Sequence, residues 1–151
     1  MDIKKLAKEA VVINENGTFR EAIEIMVKNQ TNSLLVVDTD GILVGEIKVS
    51  ELLDAIVPES FDGDMVEKML GTEEKFAEAV INAEDRGVKD FMSYDIQTVH
   101  AEDELITIAG TAIAHDTAHI PIVDQDNRPI GIISRRGLKH ILAKYLGIKD
   151  S

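Results

Sequence analysis

The sequence predicts an α/β (α+β) chain made of two copies of one strand–helix–strand–strand–helix unit. Three observations predict it. First, residues 31–56 repeat without a gap 86 positions later: Val37 falls on Val123, Asp38 on Asp124, Asp40 on Asp126, Gly45 on Gly131 and Leu52 on Leu138. Second, each copy holds two short apolar runs flanking an acidic turn, the pattern of paired strands. Third, each copy closes on an apolar stripe at helical spacing, as in Leu138, Ile141, Leu142 and Tyr145. A unit this small cannot bury its apolar faces alone, so the repeat implies two mutually dependent halves.

In chain order, residues 2–9 predict a short helix around Leu6, and residues 11–13 a strand. Thr18 followed by Glu21 is a capping-box pattern. The helix behind it carries Phe19, Ala22, Ile23, Met26 and Val27 on one face, with Met26 as core filler. Residues 33–37 and 42–47 predict the first strand pair, joined by Asp38-Thr39-Asp40-Gly41, where glycine supplies a positive φ. A helix follows at residues 50–56 and Pro58 stops it.

Residues 58–86 have no counterpart in the repeat. They predict a helical connector with stripes at Met65, Val66, Met69 and Leu70, then at Phe76, Ala77, Val80 and Ile81, with Thr72 as a cap. The second copy opens at Gly87. Val88, Phe91 and Met92 predict a helical turn and residues 96–99 a strand. Leu105, Ile108, Ala109, Ala112 and Ile113 predict a helix capped at or beside Asp103. Residues 120–123 and 129–133 predict the second strand pair. Ser134 stands where its hydroxyl can cap the last helix. The organisation is therefore residues 1–57, a connector at 58–86, and residues 87–151.

Charge narrows the function classes. The 151 residues carry a formal net charge of -12 and no cysteine. Residues 1–86 hold 9 basic and 19 acidic groups, against 7 and 9 in residues 87–151. Such a surface repels phosphate backbones, so no nucleic-acid partner is expected. Disulfides and thiolate chemistry are excluded. Residues 1–30 lack the apolar core of a secretory signal, and no run approaches the about 20 apolar residues that span a bilayer, so a cytoplasmic protein without a membrane partner is expected. The basic exceptions Arg128, Arg135 and Arg136 cluster in the second copy.

Little here points to bond-making. The turn at Asp38 to Gly41 lacks the spacing and terminal glutamate of a calcium loop. His115 and His119 stand four apart, but the approaching strand interrupts the helix that would place them on one metal. There is no nucleophile elbow, GxGxxG or phosphate-binding loop. No enzyme and no metal site are expected.

The order of elements, Val88-Lys89-Asp90-Phe91-Met92, His119-Ile120-Pro121-Ile122-Val123-Asp124 and Gly131-Ile132-Ile133-Ser134 together resemble a tandem cystathionine β-synthase-type (CBS) domain pair, the Bateman module. The resemblance covers essentially the whole chain. It implies two pseudo-symmetric motifs packed sheet against sheet, with clefts that hold adenosyl ligands such as AMP, ATP or S-adenosylmethionine. It also implies a regulatory role, a homodimer and a separate effector protein, with no cofactor required.

The ribose signature of that family is Ser or Thr followed three residues later by Asp. The matching positions here are Ser134 and Gly137, and Lys48 and Glu51. Both depart: Gly137 offers no acceptor and Lys48 no hydroxyl. A lost charged hydrogen bond is worth about 1.5–3 kcal/mol, so adenosine binding in the family pose is expected to be weakened. Lys48 and Glu51 are also spaced to form an ion pair. Arg135 and Arg136 at a helix start suit a phosphate. The resemblance adds His119 and Pro121 as cleft-lining positions, and the backbone at Thr98 and Val99 and at Val12 and Ile13 as the adenine edge. The alternative is a non-catalytic scaffold or dimerisation protein with degenerate clefts.

Overall fold

A computed structural model describes residues 3–57, 71–115 and 119–149, together with Asp64 and Lys68. The expected stripe at Met65, Val66, Met69 and Leu70 lies outside the described residues. In chain order the elements are α1 (Ile3–Leu6), β1 (Ala7–Lys8), β2 (Val12–Asn14), α2 (Phe19–Asn29), β3 (Ser33–Val37), β4 (Leu43–Lys48) and α3 (Val49–Ala55). Then come α4 (Glu73–Asn82), α5 (Val88–Phe91), β5 (Val99–His100), α6 (Leu105–Ala114), β6 (Ile120–Val123), β7 (Pro129–Ile133) and α7 (Arg135–Tyr145). They form two compact units: residues 1–10, 40–43 and 96–151, and residues 11–39 and 44–95.

The first unit is built on a sheet of order β1-β7-β6-β5. Strand β6 runs antiparallel to β7, with Ile120 opposite Ile133 and Pro121 opposite Ile132. Strand β5 runs parallel to β6, with Val99 opposite Ile122. Every residue of β6 is buried, as its unbroken apolar run requires. Ile3, Leu6, Ile108, Ile120, Ile133 and Ile141 form the centre of this core. The last helix buries only part of its expected stripe: Ile141 is buried, but Leu142 and Tyr145 are 67% and 71% exposed.

In this unit the acidic turns of both copies are pinned together. The Arg128 Nε donates to the Asp40 carbonyl at 2.9 Å, and the Leu43 amide donates to the Asn127 carbonyl at 2.9 Å. Asp124 Oδ1 accepts the amides of Asp126 and Arg128. Gly41 has φ +82° and Asn127, 86 positions later, φ +63°, so both turns use the left-handed region. Asparagine tolerates it because its short polar side chain bonds locally.

The second unit has the sheet order β2-β3-β4, with β2 parallel to β3 and Ile13 opposite Val36. Thr18 caps α2 as expected, its Oγ1 accepting the Glu21 amide at 3.2 Å. Phe19, Met26, Leu34, Ile47, Leu52 and Val88 are buried together, and Phe19 meets Phe91 edge to face at 5.9 Å. Thr72 caps α4 through the Lys75 amide at 3.2 Å. No side chain of α4 is fully buried, and Ile81 is 66% exposed.

The opening segment of each copy belongs to the unit of the other. Residues 7–8, expected to be helical, instead extend β7 as an antiparallel edge, with Lys8 opposite Ile132. Ser93, 86 positions after Ala7, bridges Glu46, exchanging backbone hydrogen bonds of 2.8 and 2.9 Å. This explains the repeated glycine. A Cβ on Gly131 would meet the Lys8 carbonyl oxygen at 3.2 Å, and one on Gly45 would meet Met92 Sδ at 2.7 Å. A side chain at either position would crowd the crossing segment.

One further expectation is corrected. The strand expected at residues 96–99 is confined to Val99–His100. The N-cap of α6 is Glu104, beside Asp103 as expected, and its side chain makes no capping bond. Asp103 spans the preceding turn, accepting the His100 amide at 2.8 Å.

Candidate functional site

Strand register gathers the second-copy candidates at one end of the first unit. Because Ile120 faces Ile133 antiparallel, His119 at the start of β6 and Ser134 at the end of β7 leave the sheet side by side. Because Val99 faces Ile122 in parallel, Thr98 reaches the same end. The Val99 and Pro121 side chains are buried in the core, so only their main chain is available to a ligand. His119, Thr98 and Ser134 are half-buried.

The turn from β7 into α7 is the most polar part of this end. Ser134 occupies the N-cap position with extended backbone, φ -106° and ψ 179°. Its hydroxyl makes no capping bond, contrary to the sequence expectation. The orphan amides of the first turn are therefore not satisfied by a cap, and the helix dipole adds partial positive charge. Arg135 and Arg136 are exposed beside them, and neither is drawn into an ion pair among the described residues. Uncapped amides and two available guanidiniums suit a bidentate anion such as a phosphate.

Gly137, one turn into α7, is buried for a steric reason. A Cβ there would lie 2.6 Å from the Leu6 carbonyl oxygen and 3.5 Å from Ile133 Cγ2. The backbone of the N-terminal segment occupies the space in which any side chain at this position would begin. Aspartate at 137 would not simply restore an acceptor.

In the second unit, Lys48 is the N-cap of α3 and Glu51 stands three residues on. Glu51 Oε1 accepts the Lys48 backbone amide at 3.0 Å, and Glu51 Oε2 accepts the Ser50 hydroxyl at 2.6 Å. The expected ion pair between the Lys48 ammonium and Glu51 does not form among the described residues. The carboxylate serves the backbone half of a capping box, leaving the ammonium exposed. On β2, Ile13 is buried and Val12 is 43% exposed.

Sequence reasoning missed the contact of Leu6 with Gly137 and the bond of Ser50 to Glu51. Glycine at 137 opposite glutamate at 51 shows that the copies differ, but nothing local to 137 names the segment that fills the space. Two apolar hollows in the second unit also went unread. One of about 490 Å³ lies between α2 and α3, lined by Ile23, Met26, Val27, Val49 and Leu52. One of about 270 Å³ lies beside Phe19, Ile23 and Val80. At its rim Arg20 bonds Glu84 at 2.6 Å and Glu24 at 2.8 Å, and these carboxylates, Glu84 foremost, raise the guanidinium pKa above its ordinary value. Neither hollow is lined by Lys48, Glu51, Ser134, Arg135 or Arg136, although the larger one reaches Val49 in the first-copy turn. Among the described residues no three His, Asp or Glu groups could hold a metal ion, and no helix is long and apolar enough to cross a membrane.

Comparison with known proteins agrees with this architecture. The family model of the CBS domain matches residues 2–58 and again 88–144. The chain is 28% identical over 149 residues to the uncharacterized protein MJ1426 of Methanocaldococcus jannaschii, covering 91% of this chain and 89% of that one. It spans 37%, 42% and 22% of three longer relatives, the last named L-aspartate semialdehyde sulfurtransferase. The solved structure of CBSX2 in complex with AMP superposes with a TM-score of 0.68 at 18% identity, covering 96% of this chain and 98% of that one. The CBS domain pair of protein MJ0100, in complex with 5'-methylthioadenosine and S-adenosyl-L-methionine, gives 0.65 at 19% identity, covering 94% and 99%.

Proposed function

The chain belongs to the CBS domain family, and from that premise we propose that it is a regulatory, non-catalytic module binding an adenine nucleotide or related adenosyl ligand. The observation that carries this reading is the uncapped start of α7, where Arg135 and Arg136 stand available in an acidic protein. The anionic end of the ligand sits on this turn. AMP in CBSX2, and 5'-methylthioadenosine and S-adenosyl-L-methionine in the MJ0100 pair, support the choice of ligand class. The adenine edge then falls to the main chain at Thr98 and Val99, with His119 alongside. The first-copy turn is the poorer site, because Lys48 offers no hydroxyl where Ser134 keeps one and Glu51 is already engaged with the Lys48 amide and the Ser50 hydroxyl.

The same reading includes a homodimer. Val27 and Ile113, 86 positions apart on α2 and α6, are 72% and 82% exposed, and such apolar faces favour burial in a self-association. A scaffold role is the second reading, favoured by the loss of a side chain at Gly137.

Isothermal titration with AMP, ATP, S-adenosylmethionine and 5'-methylthioadenosine tests the proposal. One site per chain of micromolar affinity is expected. Replacing Arg135 and Arg136 with alanine is expected to weaken nucleotide binding about tenfold to a hundredfold, the equivalent of about 1.5–3 kcal/mol of charged hydrogen bonding. No binding of any of the four selects the scaffold reading.

A further inference from the structure

The N-terminal segment touches the proposed ligand turn in a way that leaves no slack. Its carbonyl at Leu6 lies 2.6 Å from the Cβ position of residue 137, so the approach is backbone against backbone. One step along, the Lys8 carbonyl oxygen and the Ala7 Cβ each come within 3.2 Å of the corresponding position on Gly131. The two glycines, at the middle of β7 and in the first turn of α7, form a track in which residues 6–8 lie.

Among the described residues the hold on the segment includes the buried Ile3 and Leu6 side chains, Ala7 packed on the same core and the two strand pairs of Ala7 and Lys8. Against it stands the conformational entropy of ordering six residues. A change in the surface of α7 reaches the docked segment through the Leu6 carbonyl at Gly137. Backbone contacts transmit such a change directly, because no flexible side chain at position 137 can absorb it.

We propose that the segment Ile3 to Lys8 is the output element of the module: a nucleotide on the Ser134–Arg136 turn tightens its docking. This rests on the functional reading above. An anion on the uncapped amides orders the first turn of α7, and Gly137 belongs to that turn. A fixed Gly137 gives Leu6 a fixed surface to pack on. By thermodynamic linkage, the factor by which nucleotide favours docking equals the factor by which docking favours nucleotide.

Hydrogen exchange of the full chain, with and without saturating AMP or ATP, is the test, alongside titration of the same nucleotides. The peptide covering residues 3–9 is expected to exchange at least threefold more slowly with nucleotide, while the α2 peptide at 19–29 is unchanged. Leu6→Ala, which loosens the segment without adding bulk, is expected to weaken AMP affinity by a similar factor. Nucleotide binding with no change at residues 3–9 overturns this inference and leaves the functional reading intact. Failure of both AMP and ATP to bind overturns the two together. The wild-type exchange measurement needs no variant, so misfolding of Leu6→Ala does not obscure the result.

Discussion

The Leu6 carbonyl oxygen sits 2.6 Å from where a Cβ on Gly137 would stand. This relationship between residues 131 positions apart sets what the second-copy turn can become. Glycine there is a steric requirement of the N-terminal segment. Gly137→Asp is therefore not expected to tighten adenosine binding, although it recreates the sequence signature. Gly137→Ala is expected to cost about 1–3 kcal/mol, as overpacking does, read from the urea midpoint at unchanged m-value. A neutral Gly137→Ala substitution would refute the close approach.

Glu51 offers a contrasting case at the equivalent position of the first copy. Its carboxylate accepts the Lys48 amide at 3.0 Å, so Glu51→Ala is expected to cost about 0.5–2 kcal/mol through loss of a helix-end hydrogen bond. Glu51→Gln retains an acceptor oxygen and is expected to recover most of this. Lys48→Ala is expected to be nearly silent in the same denaturation assay, because the amide rather than the ammonium holds the turn. A Lys48→Ala loss as large as that of Glu51→Ala would instead indicate an ion pair.

The edge-to-face contact of Phe19 and Phe91 ties α2 to α5 within the second unit. Phe19 is 3% exposed, and Phe19→Ala is expected to cost about 3–5 kcal/mol. A double-mutant cycle with Phe91→Ala is expected to show about 0.5–1.5 kcal/mol of coupling. Additive losses would place the two rings in independent environments.

Self-association is checked by light scattering at micromolar concentration. Twice the chain mass of 16.6 kDa is expected, and replacing Val27 and Ile113 with serine is expected to shift the chain toward monomer. A single chain mass for the unmodified protein would remove the dimer from the account.

Much of this architecture was legible in the sequence because it is local or repeated. Thr18 and Glu21 announced a capped helix, and the 86-residue offset announced two copies with matching turns at Gly41 and Asn127. The exchange of opening segments was not legible. Strand β1 has only two residues, and its extended form comes from pairing with Ile132 and Ile133, far along the chain. Propensity over residues 2–9 favours helix, and the tertiary contact wins at Ala7 and Lys8. At the candidate site, the Ser134 to Arg136 run was visible as charge at a helix start. The reason for Gly137 was not, because the atom that requires it belongs to a main chain whose identity plays no part.

The most direct measurement is an amide-resolved NMR titration of the full chain with AMP. The largest shift changes are expected at Arg135, Arg136 and Gly137, with smaller ones at Thr98 and Val99, and all of them are expected to collapse when Arg135 and Arg136 are replaced by alanine. Changes centred on Lys48 to Glu51 with the α7 amides unmoved, or no changes at millimolar AMP, would contradict the account.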